Sequence, residues 1–321
     1  MQVNLAEAIA LLKRGDVVAI PTETVYGLAA DAGNDIALQK VFATKQRPAD
    51  HPLIVHIGDI NQVNDWASVF PETAVKLATA FWPGALTLVL PAQEHVSRVV
   101  RGGEPTIALR VPNHPVTLDL LKQGGLSVAA PSANLFTQLS PTTAAHVEAG
   151  LGKSIPVLDG GACSVGIEST IVSVTADGQW LLLRPGMISE DAIAQVAGMP
   201  QQTYQVKSAD TTIPKAPGQH ALHYSPRTPM LLFSNKATLM HEFAALTQAQ
   251  KQCAALLIGA GEAPNCVVIQ LPNQPELVAE RLYSALHSLD DLKVDCLLVE
   301  LPPNTPEWAA VLDRLNRAGY Q

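Results

Sequence analysis

The chain has 321 residues and a mass of 34.0 kDa, room for about two domains at roughly 150 residues each. Hydrophobic residues make up 47% and charged residues 16%, which excludes a disordered chain and points to one that buries most of its length. With 21 basic and 29 acidic side chains the net charge is −8, against the sign expected of a protein that coats nucleic acid.

The longest apolar runs, such as 85–90 and 255–258, fall far short of the ~20 residues of a membrane span, so no membrane association is expected. The start, MQVNLAEAIALLKRG, carries neither a basic region nor a cleavage signal, and no export is read from it. Cys163, Cys253, Cys266 and Cys296 form no CxxC pair. A zinc site and a disulfide framework are therefore not expected, and the reducing cytoplasm is the expected compartment.

Helical and strand patterns alternate along the chain. Asn4 and Glu7 form an N-x-x-E capping box ahead of Ile9, Leu11 and Leu12, and Gly15 stops that helix. Residues 17–20 then predict a buried strand, 35–43 a helix, 53–57 a strand, and 72–82 a helix ending before Pro83-Gly84. Strands are predicted at 86–90 and 106–111, a helix near 115–122, and a strand at 126–130. A helix near 142–149, strands at 155–158, 169–175 and 180–184, and a helix near 189–197 complete this half. Strands outnumber helices and several are neighbours, so a mixed twisted sheet with flanking helices is expected. Residues 198–229 break the pattern with Pro200, Pro214, Pro217, Gly218, Pro226 and Pro229, and read as a linker. Beyond it, strands at 230–233, 254–258, 267–271 and 296–300 and helices at 236–249, 275–289 and 306–318 predict a smaller, Rossmann-like α/β domain. The expected division is 1–199, a linker at 200–229, and 230–321.

Two nucleotide fingerprints fail on inspection. Gly152-Lys153-Ser154 ends like a P-loop, but Val147 stands where its first glycine belongs. Gly259-Ala260-Gly261 follows a strand, yet Pro264 takes the third glycine position. Polar residues cluster instead at the ends of predicted strands, where α/β proteins bind ligands. The clusters are PTETVYGL at 21–28, Lys45-Gln46-Arg47-Pro48 with His51 and the run LIVHI at 53–57, Thr106 to Pro112 with Arg110, and Ala130-Pro131-Ser132-Ala133-Asn134 with Ser140-Pro141-Thr142. Glu168-Ser169-Thr170 and Arg184-Pro185-Gly186 follow.

The residues alone leave bland readings open. Lys45 and Arg47 would equally offset a helix dipole. His56 fits a hydrogen-bonded core histidine, Arg110 a structural ion pair, and Ser132 and Asn134 a turn. His220 and His223 read as surface histidines of a linker with no third metal ligand, and Glu23 as structural.

Taken in order, these segments resemble the threonylcarbamoyl-AMP synthases, the YrdC-like family, in its long two-domain form. The signature is K-x-R (Lys45, Arg47) with S-x-N (Ser132, Asn134). PTETVYGL, RP-x-x-x-PLIVHI, T-x-x-x-R, SPT, EST and RPG lie around it, from about residue 5 to 200. The linker KAPGQHALHYSP is similar to the family's SPGMKYRHYSP, with Gln219-His220-Ala221-Leu222 in place of its Met-Lys-Tyr-Arg portion. The resemblance implies an N-terminal YrdC-like catalytic domain. It implies that L-threonine, bicarbonate and ATP give threonylcarbamoyl-AMP and pyrophosphate, with Mg²⁺ accompanying ATP, for modification of the adenosine beside the tRNA anticodon. Partner proteins of that modification are conceivable recipients of the product.

Roles carry over residue by residue. Lys45, Arg47, Ser132 and Asn134 form the expected catalytic tetrad. Arg47, His51, Thr106, Ser132, Ser140, Arg184 and Ala221 are expected at ATP, where forked guanidinium donors suit phosphate oxygens. Thr24, His56, Arg110, Ala130 and Ser169 are expected at threonine, with Arg110 on its carboxylate. No set of metal ligands is assigned. The linker is expected to cover the mouth as a lid. The competing reading is a module for tRNA or double-stranded RNA, built on Lys45, Arg47, Arg101, Arg110 and Arg184. The acidic balance opposes it, and no extended nucleic-acid surface is expected.

Overall fold

A computed structural model describes residues 1–201, 214, 216–218 and 223–319. The first sheet has ten strands: β1 (Gln2–Val3), β2 (Val18–Ile20), β3 (Gly27–Asp31), β4 (Ile54–His56), β5 (Leu86–Pro91), β6 (Thr106–Arg110), β7 (Val128–Ala129), β8 (Val157–Leu158), β9 (Thr170–Val174) and β10 (Trp180–Arg184). Their order is β1-β8-β2-β3-β7-β4-β6-β5-β9-β10. Parallel pairs (β1 with β8, β4 with β6, β5 with β9) alternate with antiparallel ones (β2 with β3, β5 with β6, β9 with β10), so the sheet is mixed. The second sheet is wholly parallel. It holds β11 (Met230–Phe233), β12 (Cys253–Ile258), β13 (Val267–Leu271) and β14 (Cys296–Glu300) in the order β11-β14-β12-β13.

The capping box at the first helix forms as read from its sequence. Asn4 Oδ1 accepts from the Glu7 amide at 3.0 Å, and Glu7 Oε2 accepts from the Asn4 amide at 2.8 Å. Strand β3 was not expected, because GLAAD has neither β-branched residues nor aromatics. Pairing on both sides makes it a strand: Ile20 faces Gly27, and Ala30 faces Ala129. The last expected helix is divided, with a 3₁₀ turn at Pro306–Trp308 before the helix Ala309–Ala318.

The central strands are buried on both faces. In β4 and β6, Val55, Ile107 and Leu109 join the large helix-covered core, as do Leu86, Leu88 and Leu90 of β5 and Val172 and Val174 of β9. The opposite face carries Ile54, Val89, Ala108 and Ile171, and there the linker residue Ala216 packs on them. With a period of two, that second face also receives His56 and Arg110, which pair across β4 and β6. A long apolar run interrupted by one polar residue on one face is how this sheet makes room for a site.

Candidate active site

The site grows from short turns at the strand ends. After β2, Thr22 Oγ accepts from the amides of Thr24 and Val25 and donates to the Val25 carbonyl at 2.6 Å. Thr24 and Thr22 hydroxyls lie 2.8 Å apart. Since Thr22 spends its proton on Val25, Thr24 donates to Thr22. Thr24 also accepts from Arg110 at 2.9 Å. That leaves Thr24, a residue of the wall of the hollow, one lone pair to accept with.

The Ser132–Asn134 segment is held from two sides. The Leu28 amide donates to the Pro131 carbonyl at 2.7 Å, and the Ala133 amide to the Tyr26 carbonyl at 2.8 Å. A Cβ at Gly27 would come within 2.9 Å of the Ala130 Cβ, so glycine permits this approach. From the other side the helix Asp35–Lys45 ends on Gln46, in the left-handed region at φ 52°. There the Lys45 ammonium donates to the Ser132 carbonyl and, at 2.7 Å, to the Asn134 carbonyl. The Lys45 carbonyl accepts from the Phe136 amide at 2.8 Å. Burial, with the charge of Arg47 adding to it, pushes Lys45 well below the ordinary lysine value.

These pieces enclose an open hollow of about 540 Å³. On its walls lie Thr24, Arg47, His56, Arg110, Ala130, Ser132, Ser169 and Arg184, eight of the residues expected from the sequence. The others lie close by or apart. Lys45 and Ser140 stand behind the wall, Ser140 donating to Glu168 Oε1 at 2.5 Å. Asn134 lines an adjoining cavity with His146, Arg227 and His287. His51 meets the edge of Phe136, whose face lies 5.8 Å from the Arg47 guanidinium carbon. Thr106 begins the strand that Arg110 ends, roughly 13 Å away at 3.3 Å per residue, and is not on the wall. Ala221 and His220 lie outside the described residues.

Thr22, Val25, Ile54, Pro131, Glu168, Pro217, Gly218, His223 and Tyr224 also line the hollow, without having been singled out as site residues. His223 corrects the sequence reading: it is buried, not on the surface, and lies edge-on to Phe136 and Tyr224. The sequence signals for it were the histidine and tyrosine in a proline-rich linker and the HYSP shared with the family's linker segment. Glu168 stood in the EST segment, but no role was carried over to it, because a lone acid before a strand has no distinctive spacing.

Electrostatically the hollow is basic inside an acidic protein. Arg47 is buried, donates to the Pro52 carbonyl at 3.1 Å, and leaves its Nε without a partner among the described residues. Burial lowers it to about 10, so it remains charged at neutral pH. Arg184 donates to the Ser169 carbonyl at 3.0 Å, the Pro217 carbonyl at 3.0 Å and Ser169 Oγ at 3.2 Å. Arg110 donates to the Gly84 carbonyl, Thr24 and Glu23 Oε1, the last at 2.6 Å. It is thus both a buried ion pair and part of the wall, and Glu23 is structural as read. Burial and the Arg110 charge push His56 down to about 3, so it is neutral. Its Nδ1 lies 3.3 Å from the Ile54 carbonyl, which places the proton there and makes Nε2 an acceptor.

Such buried cations do not form a surface that a nucleic-acid backbone could grip. Lys45, Arg47, Arg110 and Arg184 are all under a tenth exposed. Among the described residues no three His, Cys, Asp or Glu side chains converge as a metal cage.

Fold and hollow define an α/β protein with a deep, cation-lined cleft suited to a polyanion beside a small polar molecule. Residues 10–186 match the family model described as telomere recombination (Sua5, YciO, YrdC), and residues 188–319 match that of the threonylcarbamoyl-AMP synthase C-terminal domain. A threonylcarbamoyl-AMP synthase of Bacillus subtilis is 40% identical, over 98% of this chain and 92% of its own. One from Pyrococcus abyssi is 38% identical, over 98% and 94%. The crystal structure of P. abyssi Sua5 complexed with L-threonine matches with a TM-score of 0.90 at 34% identity, covering 99% of this chain and 97% of that one. The chain belongs to the threonylcarbamoyl-AMP synthase family, in its two-domain form.

Proposed function

We propose that the protein is an L-threonylcarbamoyladenylate synthase, a nucleotidyltransferase that acts in the cytoplasm. It joins L-threonine, bicarbonate and ATP into threonylcarbamoyl-AMP and releases pyrophosphate. The product serves the threonylcarbamoyladenosine modification of tRNA, received by partner proteins of that pathway. The observation that carries the reading is the buried, charged guanidinium of Arg47, which shares one hollow with Arg184 and Ser132 and with Thr24, His56 and Arg110.

The threonine amine takes up bicarbonate as a carbamate with loss of water. A carbamate oxygen then attacks the α-phosphorus, and the bond to pyrophosphate breaks. Arg47 and Arg184 bind phosphate oxygens and stabilise the charge that develops there. Ser132 offers a hydroxyl, and Lys45 and Asn134 hold the loop that presents it. Arg110 pairs with the threonine carboxylate through the hydrogens Glu23 leaves free, while Thr24 and His56 accept from its hydroxyl or amine. Ser169 and the Ala130 backbone complete that side. Catalysis is positioning and charge stabilisation, without a covalent enzyme intermediate.

Mg²⁺ fits as an ion carried on the nucleotide. Among the described residues the hollow supplies hydroxyl oxygens, cations and the single carboxylate of Glu168 rather than a carboxylate cage, the donor set of a metal held chiefly by phosphates and water. When bound it would screen phosphate charge, with Ser132 the wall hydroxyl best placed by chemistry to join it.

The test is to incubate the protein with ATP, Mg²⁺, bicarbonate and each amino acid in turn, then measure pyrophosphate and AMP adducts. Release that depends on threonine alone is expected. Release that ignores the amino acid would sink the reading.

A further inference from the structure

The C-terminal unit reaches the wall of the hollow at Glu168, through Arg314 and Tyr283. Arg314, on the helix Ala309–Ala318, is wholly buried. Its Nε donates to Glu168 Oε2 at 2.7 Å, and one terminal nitrogen donates to the Glu168 carbonyl at 3.2 Å. The other donates to the Pro185 carbonyl at 3.0 Å and to Asp313 Oδ2 at 2.7 Å. The guanidinium carbon also lies 5.3 Å from the centroid of the Tyr224 ring. Glu168 and Tyr224 line the hollow, as does Arg184, the neighbour of Pro185. Glu168 accepts in addition from Ser140 at 2.5 Å and from Tyr283, on the helix Pro275–Asp290, at 3.0 Å.

One cation thus ties together three separate pieces of wall: the turn before β9, the end of β10 and the linker. It also neutralises a carboxylate beside the space proposed for a polyphosphate. Burial alone would raise Glu168, but Arg314, Arg184 and the Ser140 hydroxyl together hold it below its ordinary value, so it is an anion. Without Arg314 that anion would oppose an incoming nucleotide.

Three of the residues proposed at threonine, Arg110, Thr24 and His56, have other supports, whereas Ser169 follows Glu168 directly and is held by Arg184. Glu23 and the Gly84 carbonyl hold Arg110, Thr22 holds Thr24, and the Ile54 carbonyl holds His56. We infer that Arg314 is a positioning residue for the nucleotide, through which the C-terminal unit sets the affinity for ATP and not that for threonine. The inference rests on the activity proposed above.

Its geometry calls for arginine: a lysine keeps the charge, but its hydrogens all leave one nitrogen and cannot span acceptors that Arg314 reaches from three. The experiment compares full-length wild type, Arg314→Lys and the charge-balanced Arg314→Met/Glu168→Gln. It reads KM for ATP, KM for threonine, kcat, ATP binding by calorimetry and the thermal midpoint. Arg314→Lys is expected to stay folded and to raise KM and Kd for ATP about tenfold, with KM for threonine changed less than about twofold. The double variant is expected to shift in the same direction, and if it does not fold Arg314→Lys decides alone. Wild-type ATP affinity in Arg314→Lys, or equal rises for both substrates, overturns the inference. A wild type that binds ATP but shows no threonine-dependent turnover sinks the activity instead, and the calorimetric comparison still judges Arg314.

Discussion

Lys45 and Arg47 are two residues apart and do different work. Lys45 directs its ammonium to two backbone carbonyls, while Arg47 lines the hollow with its buried Nε unpartnered among the described residues. A buried donor without a partner costs stability unless something else satisfies it, and an anionic ligand is what a buried guanidinium accepts best. Arg47→Ala is therefore expected to lower kcat/KM at least about 100-fold, roughly 2.7 kcal/mol, similar to the loss of one preorganised donor. Pyrophosphate release near the wild-type rate would refute that role. Thr24 acts through its acceptor lone pair. Thr24→Val keeps the shape and removes the oxygen, so KM for threonine should rise about tenfold, some 1.4 kcal/mol, with KM for ATP unchanged. Steady-state kinetics with each substrate varied would show the split, and a rise for ATP alone would contradict it.

At the scale of elements, alternation along the strands decides which residues meet. Odd positions of β4 and β6 enter the helix-covered core, and even ones face the linker and the hollow. The same regularity puts Thr106 on the face of Arg110 but a strand's length away, which spacing alone does not reveal. Close backbone approaches matter as much. A Cβ at Gly166, where φ is +80°, would lie 2.4 Å from the Ala279 carbonyl oxygen and from the Glu280 Cα. The turn before Glu168 therefore presses on the backbone of the helix Pro275–Asp290. Gly166→Ala is expected to destabilise the protein by about 2 kcal/mol or more, through overpacking and an unfavourable φ together. Urea unfolding would register it as a lower midpoint, and an unchanged midpoint would deny the contact.

At the scale of the molecule the two sheets share a core. Val25, Leu139, Ile167 and Tyr224 pack in one cluster with Leu282, Tyr283, Leu286 and Leu315. Removing 230–321 would expose those side chains and leave Glu168 without Arg314 and Tyr283. The truncated protein is expected to lose ATP turnover or its threonine dependence, and unchanged kinetics would show that the second unit is dispensable. A pH effect follows from the same burial. Burial lowers His56 and His223 to about 3 and His146 to about 4, from an ordinary 6.5. Below pH 6.5 the unfolded chain takes up protons that the folded one refuses. Their contribution is thus complete above that value and is lost as pH falls toward 4 to 3. Between pH 7 and 5, above the range where unfolded carboxylates titrate, the urea midpoint should fall. A flat profile there would mean that these imidazoles are exposed.

Much of this was readable in the chain itself. The capping box at Asn4, the alternating buried strands, and the K-x-R and S-x-N segments depend on local chemistry and spacing, which a linear sequence carries directly. The two-part α/β architecture was legible too, and eight of the fourteen residues that the resemblance implied for the site line one hollow. Only the tertiary structure turned GLAAD into strand β3, since its partners on one side, Val128 and Ala129, lie almost a hundred residues away. It likewise drew His223 and Tyr224 into the wall, put Lys45 behind it, and joined Glu168 to Arg314 across 146 residues. Those outcomes come from burial and charge pairing between distant segments, forces whose strength depends on distance in space and leaves no mark in the order of residues.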